Sequence, residues 1–400
     1  MDKYKDAALP VSERVDDLLS RMTLDEKLAQ ITCVMAAMGF FVGDKEQIMR
    51  DGVGQISTLC GCFTKEMNAA LVNDTQKFLL ENTRLGIPAM FHVETLSGAQ
   101  SAGATSYPIP IGLAATFNPA LIEKMADGIR EEMTALRMKL AFAPVMDVAR
   151  DPRWGRTCET YGENATLASA MSVAYVKGLQ GGDLREGVAA TAKHFVGYAM
   201  GEAGMNIAGA HLGRREIREV YTKPFEAAIR LVNLECVMNA YHVIDNVPMA
   251  AGKEYLRGLL RGELGFDGLV VSDYASIDKL FDVYHIAEDY TQAGIMALKA
   301  GIDDETPNRL CYADGMKRAV ESGDLDIAYI DEAVRRTLSL KMRLGLFENP
   351  FADIEKMNAI YQNKDALETA LNLSRESIVL LKNEGALLPL DFGKLKKTSY

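Results

Sequence analysis

Residues 268–273 read Gly-Leu-Val-Val-Ser-Asp, and the way this run is built decides the fold. Leu269, Val270 and Val271 are consecutive β-favouring residues with no polar residue between them. A strand with one wet face alternates, whereas a continuous apolar run belongs to a parallel strand covered on both faces by helices. The run then breaks into Ser272 and Asp273, a carboxylate that nothing apolar calls for. It is either the N-cap of the next helix or a functional group carried at a strand end.

The same grammar recurs on either side. Leu140–Val145 is again continuously apolar, and β-rich runs appear at Gly52–Thr58, Pro88–Val93, Gly112–Phe117, Gly187–Lys193, Glu235–Tyr241 and Ala300–Asp304. Between them lie helical patterns, among them Asn118–Met138 and Arg214–Val232. Eight β/α repeats of this kind predict an α/β protein of the (β/α)8, TIM-like barrel class. A doubly wound sheet is the competing architecture, but the first strands carry no G-x-G-x-x-G fingerprint. Two helices precede the first strand. One has Val15, Leu18, Leu19 and Met22 at i, i+3, i+4 and i+7, and the other starts at the capping box Thr23-Leu-Asp-Glu26.

A helix over Ile330–Leu344, with Val334, Leu338 and Met342 on one face and Gly345 and Pro350 behind it, closes the repeats. The expected organisation is therefore a barrel over 1–347, a linker over 348–365 and, over 366–400, the incomplete start of a second domain. That last part opens with an amphipathic helix at Ala366–Lys382 and is too short to build a core of its own.

The 400 residues are 48% apolar and 25% charged, the composition of a folded globular protein. The net charge of -11 and the lack of a basic run argue against a nucleic-acid partner. Six scattered cysteines, without C-x-x-C spacing, read as mostly buried thiols. The five histidines form no H-x-x-H or HExxH pair, so neither a metal nor another cofactor is expected. With no 18-residue apolar stretch and a charged N-terminus, the expectation is a cytoplasmic enzyme acting on a small molecule, not at a membrane.

Polar groups at barrel strand ends are the first place to look for chemistry. Besides Asp273, Lys193 and His194 end one strand as adjacent donors, and Glu94 ends another as a bidentate acceptor for hydroxyls. Arg153 and Arg156 flank Trp154, the single tryptophan. The bland alternatives are a helix-start carboxylate for Glu94 and a loop ion pair for one of the arginines.

The sequence also resembles glycoside hydrolase family 3. The resemblance runs in order through Pro108-Ile-Pro-Ile-Gly-Leu-Ala-Ala-Thr-Phe117, Asp151-Pro-Arg-Trp-Gly-Arg156, Glu159-Thr-Tyr-Gly-Glu163 and Lys193-His-Phe-Val-Gly-Tyr198. It continues in Arg215-Glu-Ile-Arg-Glu-Val-Tyr221, Met238-Asn-Ala-Tyr241, Gly265-Phe-Asp-Gly-Leu-Val-Val-Ser-Asp-Tyr274 and Arg375-Glu-Ser-Ile-Val-Leu-Leu-Lys-Asn383. It implies a β/α barrel followed by an α/β sandwich domain, and a retaining, exo-acting β-glycosidase of the β-glucosidase type that releases a terminal β-D-glucosyl unit. On the same basis Asp273 is the nucleophile that forms a covalent glycosyl-enzyme. Glu94, at a position where Asp is common, grips hydroxyls on the far side of the terminal sugar. Arg156, Lys193 and His194 line the same pocket, Met238 and Tyr241 lie beside the nucleophile, and Tyr241 hydrogen-bonds Asp273.

The implied substrate is a small oligosaccharide or aryl β-glycoside. In the family's β-glucosidases the acid/base is a Glu of the second domain, which places it beyond this chain. Glu202 and His211 are the substitutes within it. β-Xylosidase, β-N-acetylhexosaminidase and a sugar-binding barrel of low activity stand as alternatives, and a homo-oligomer is compatible with all of them. The loop Gly197–Asn206 lacks the Gly-His-Gly-Asp arrangement of the N-acetylglucosaminidases.

Overall fold

The computed structural model describes residues 2–37, 40–41, 44–58, 64–361, 363–391 and 393. Cys60, Cys62 and the polar stretch 394–399 lie outside the described residues.

The chain opens with two helices, α1 (Val11–Arg21) and α2 (Leu24–Gln30). At the start of α2 the Thr23 hydroxyl accepts the Glu26 N–H while the Glu26 carboxylate accepts the Thr23 N–H, so the predicted box is formed. Such a cap contributes about 1 kcal/mol.

Among the described residues seven parallel strands follow, each joined to the next by at least one helix or turn: β1 (Cys33–Ala37), β2 (Gln55–Ser57), β3 (Met90–Val93), β4 (Leu140–Ala141), β5 (Ala189–Phe195), β6 (Cys236–Asn239) and β7 (Leu269–Val271). They pair in chain order, with Cys33 opposite Gln55, Gln55 opposite Met90, His92 opposite Leu140, Leu140 opposite Ala189, Thr191 opposite Cys236 and Cys236 opposite Leu269. The eighth stave is reduced to single bridges. Asp304 pairs with Val271 on one side and Glu305 with Thr32 on the other, which brings the two edges of the curled sheet together. A two-residue strand, Phe40–Phe41, runs antiparallel to β1.

The predicted class is thus observed, but two of the eight expected strands were misplaced. Gly112–Phe117 falls in a helix, α3 (Pro110–Ala115). Pro110 presets φ at its first turn, and only Pro110, Leu113 and Ala114 are buried, the i, i+3, i+4 spacing of one helical face. The strand that takes its place in the count is β1, whose Cys-Val-Met-Ala-Ala run follows α2 without a turn signal. Ala300 likewise ends a helix, α4 (Tyr290–Ala300), with Gly301 at φ 113° as the left-handed stop, so the eighth stave begins later than expected.

The helical expectation for Arg214–Val232 is met in three pieces, Arg214–Glu216, a π-type turn Ile217–Tyr221 and Lys223–Val232. Helix α5 (Ile327–Arg343) ends as expected, with Gly345 at φ 69°. Its last turn and the residues behind it, Leu340, Leu344 and Leu346, pack with Met90, Leu140, Phe142, Cys236, Met238 and Leu269 inside the barrel. Each such side chain contributes roughly 1.5–3 kcal/mol on burial, so the barrel interior is a packed core rather than a pore. Residues 348–365 contain a short helix, Ile354–Ile360. The next helix, Lys364–Glu376, packs on Pro119–Ala135. Beyond it Ile378, Val379, Leu380 and Leu381 are exposed in a run that is neither helix nor strand. No helix among the described residues is long and apolar enough to cross a membrane.

Candidate active site

Five of the seven singled-out residues come from strand C-terminal ends or the loops just beyond them. Glu94 follows β3, Lys193 and His194 lie in β5, Tyr241 follows β6 and Asp273 follows β7. Asp273 is 7% exposed. Its Oδ1 accepts the Tyr274 N–H at 2.8 Å, and its own N–H donates to Asn239 Oδ1 at 3.2 Å. Among the described residues its Oδ2 has no hydrogen-bond partner, and it faces His194 Nε2, likewise without one, at 3.5 Å. Burial raises the Asp273 pKa above the ordinary carboxylate range, while Lys193, Arg156, Tyr241 and the Tyr274 N–H oppose it by favouring the charged form.

His194 is held from its other side. Asp147 Oδ2 accepts both the His194 backbone N–H at 3.0 Å and Nδ1 at 2.8 Å. Burial, with Arg156, Lys193 and His242 nearby, pushes the imidazole well below its usual pKa, so the ring is neutral. With Nδ1–H donated to Asp147, Nε2 carries the lone pair. Two buried acceptors, Nε2 and Asp273 Oδ2, then face one gap, and a ligand hydroxyl is the kind of donor that satisfies them.

Lys193 Nζ binds both oxygens of Glu94, at 2.8 and 2.7 Å, and is only 3% exposed on its side chain. Arg156 forms a bidentate pair with Glu159 at 2.9 and 2.8 Å and lies over the Tyr198 ring. The ring of Tyr198 meets His194 and Trp154 edge-on, and its hydroxyl is buried without a partner. Glu94, Lys193, His194, Arg156 and Asp273 therefore form one polar cluster with free acceptors.

The Tyr241 hydroxyl donates to the Tyr274 carbonyl at 2.7 Å, supporting the turn after Asp273, and it also lies against the Asp273 carboxylate, where it favours the charged form. Met238 is 1% exposed and packs in the barrel interior, beneath the rim rather than on an open wall. Of the arginines beside Trp154, Arg153 is the loop ion pair, bound to Asp151 at 2.7 Å and exposed. Glu202 and His211 face each other at 3.6 Å, and both are exposed.

The residues missed by the sequence reading are Asp147, Tyr198 and Asn239. Asn239 Oδ1 also accepts the Ser276 hydroxyl, tying the β6 and β7 ends together. Free thiols Cys33, Cys236 and Cys311 are buried as expected, while Cys158 is exposed. Asp278, Glu305 and Cys311 lie close enough to hold a metal ion, but Glu305 is engaged by the N–H groups of Leu310, Cys311 and Tyr312, and burial pushes the Cys311 thiol far from the thiolate form.

Residues 23–340 match the family described as Glycosyl hydrolase family 3 N terminal domain. A beta-xylosidase of Formosa agariphila is 34% identical over 96% of this chain and 50% of its own length. The solved structure of a β-glucosidase from Erythrobacter marinus superposes with a TM-score of 0.92 at 33% identity, over 97% of this chain and 52% of the other. That of a beta-glucosidase from Listeria innocua in complex with glucose does so at 0.85 and 32%, over 95% and 53%. The chain thus spans about half the length of the relatives it matches.

Proposed function

The chain belongs to glycosyl hydrolase family 3, and from that membership we propose that it carries the barrel of a retaining, exo-acting β-glycoside hydrolase with Asp273 as the nucleophile. The observation that carries this reading is the Asp273 carboxylate itself. One oxygen is fixed by the Tyr274 N–H, the other is free, and cations sit close enough to favour ionisation. A carboxylate must be charged and have one oxygen unencumbered to attack an anomeric carbon. The attack makes a bond between Asp273 Oδ2 and that carbon as the bond to the aglycone oxygen breaks and the acid protonates that oxygen; water, giving its proton to the same group, then attacks the carbon as the bond to Asp273 breaks.

The substrate reading is a terminal β-D-glucosyl unit. Glu94, Lys193, Arg156 and His194 offer the mixed acceptors and donors that a ring of hydroxyls requires, and the Listeria innocua relative holds glucose. The β-xylosidase reading stands beside it because a Formosa agariphila relative bears that name. The proton donor on this reading is a glutamate of a second, α/β sandwich domain that 366–400 begins after the barrel of 1–347; the exposed apolar Ile378–Leu381 run and the roughly twofold greater length of the relatives support such a domain.

The testing experiment is Asp273→Asn. Turnover of 4-nitrophenyl β-D-glucoside and β-D-xyloside should fall below about 10⁻³ of the parent rate, and retention of a normal rate would overturn the assignment.

A further inference from the structure

A chain of buried polar side chains runs down through the barrel from the turn that carries Asp273, and the sugar cluster makes no use of it. The Tyr274 ring packs against the interior apolar cluster, and its hydroxyl lies 2.9 Å from His92 Nε2 and 2.9 Å from Ser57 Oγ. His92 Nδ1 lies 2.8 Å from Gln55 Oε1, and Gln55 Nε2 donates to Asp304 Oδ2 at 2.7 Å. His92, Gln55, Ser57 and Asp304 are fully buried, and the His92 ring stacks on Phe142 with centroids 4.0 Å apart.

The donors run one way. Gln55 gives its N–H to Asp304, so its oxygen accepts the His92 Nδ1–H. Nε2 is then an acceptor and takes the Tyr274 proton, and the Tyr274 oxygen accepts from Ser57. Burial and Lys193 bring the His92 pKa down to about 3, which keeps the ring in the one-donor, one-acceptor form that this order needs.

The upper end of the chain meets the nucleophile through the backbone. Tyr274 donates its N–H to Asp273 Oδ1 and receives the Tyr241 hydroxyl on its carbonyl. The next residue, Ala275, adopts φ 57°, a conformation a non-glycine residue holds only when its surroundings impose it. Its N–H is fixed to the Thr306 carbonyl at 3.0 Å, and the Ser272 N–H to the Asp304 carbonyl at 2.9 Å. Asp304 thus braces the β7 end twice, directly through its backbone and indirectly through Gln55, His92 and Tyr274.

We propose that His92, held by Gln55 and Asp304, is a positioning residue for the nucleophile: it anchors the Tyr274 hydroxyl, and the anchored Tyr274 fixes the rotation of the Asp273 carboxylate so that Oδ2 points into the pocket. The proposal rests on the reading of Asp273 as the nucleophile. It requires that loss of the anchor slows the attack and leaves sugar binding unchanged, because no member of the relay below Tyr274 contacts the Glu94, Lys193 and His194 cluster by hydrogen bond.

The test uses 2,4-dinitrophenyl 2-deoxy-2-fluoro-β-D-glucoside, whose leaving group departs without an acid, on the parent protein, Tyr274→Phe, His92→Phe and the double variant. The inactivation rate constant should fall roughly tenfold or more in each single variant, with the inactivator's dissociation constant within about twofold, because small misplacements of a reacting group carry penalties of that size. The double variant should lose no more than either single one, since both break the same contact. Parent-like inactivation by Tyr274→Phe, or additive losses in the double variant, would overturn the proposal. If His92→Phe fails to fold, Tyr274→Phe, which removes a single hydroxyl, decides alone. A parent protein labelled somewhere other than Asp273 would instead defeat the nucleophile reading.

Discussion

Replacing Asp147 by Asn should slow the enzyme and, at the same time, change how its stability depends on pH. Asp147 is 3% exposed, and its Oδ2 takes two hydrogen bonds from His194, at 3.0 and 2.8 Å, while Oδ1 has no partner. An amide oxygen can keep the backbone N–H, but it lacks the charge that, above about pH 7, holds Nδ1–H. A hydrogen bond to a charged group is worth about 1.5–3 kcal/mol, and if that orientation of His194 is needed in the transition state the loss corresponds to roughly 10- to 100-fold in kcat/KM.

Stability should move in the opposite sense as pH rises. Burial lifts the Asp147 pKa to about 7, against an ordinary value near ~3.9. The folded state therefore holds this proton more tightly than the unfolded state does. Its contribution is fully present below about pH 4 and is lost as pH rises through about 7, at ~1.4 kcal/mol per unit, or roughly 2–3 kcal/mol between pH 5 and 7. His194, pushed well below its usual value, stays neutral in the folded state across that window. Asn carries no such cost. Urea unfolding at pH 5, 6, 7 and 8 should show the variant at its greatest disadvantage at pH 5, with the gap closing or reversing by pH 8. A stability difference that does not change with pH, or a variant with parent kcat/KM on 4-nitrophenyl β-D-glucoside, would refute the reasoning.

Two further outcomes follow from the same site. Aryl glycosides with good leaving groups should be hydrolysed by this chain at least about 100-fold more efficiently than cellobiose, the usual contribution of a general acid. Equal efficiency would place the acid within these residues and make Glu202→Gln and His211→Ala the next measurements. Glu94→Ala strips a buried ammonium of both its carboxylate contacts. It should lower the unfolding free energy by about 2–3 kcal/mol, a value reduced from the fully buried case because Glu94 is a quarter exposed, and a denaturant midpoint shifted by less than ~0.5 kcal/mol would contradict it.

What the sequence disclosed was governed by contrast. Asp273, Glu94 and the Lys193–His194 pair stand out because each interrupts an apolar strand, and the structure gathers all four around one gap. Asp147 has no such frame. It sits in Val145-Met-Asp-Val148, where a single acidic residue in an apolar loop looks like any turn, and only its two bonds to His194 reveal it. Asn239 and Tyr198 lay inside quoted motifs, but their roles depend on partners 34 residues away in the chain, for Asn239, and on an edge-on ring contact, for Tyr198. The misread strand at Gly112–Phe117 and the missed one at Cys33–Ala37 share a cause. Runs of five or six apolar residues carry little periodicity, so length and neighbouring residues decide between helix and strand, and for Gly112–Phe117 the residue that decided it was Pro110. The interior relay was invisible because His92, Gln55 and Ser57 fall on adjacent parallel strands whose register no local pattern states.

The account rests most heavily on Asp273 as the atom-donating nucleophile. Incubation of the protein with 2,4-dinitrophenyl 2-deoxy-2-fluoro-β-D-glucoside, followed by proteolysis and mass spectrometry, should yield one equivalent of fluoroglucosyl ester on the peptide containing Leu269–Tyr274, with the mass increment on Asp273. A label carried by Glu94, Asp147 or Glu202 in its place, or hydrolysis of the parent aryl glucoside with no label trapped at all, would contradict it.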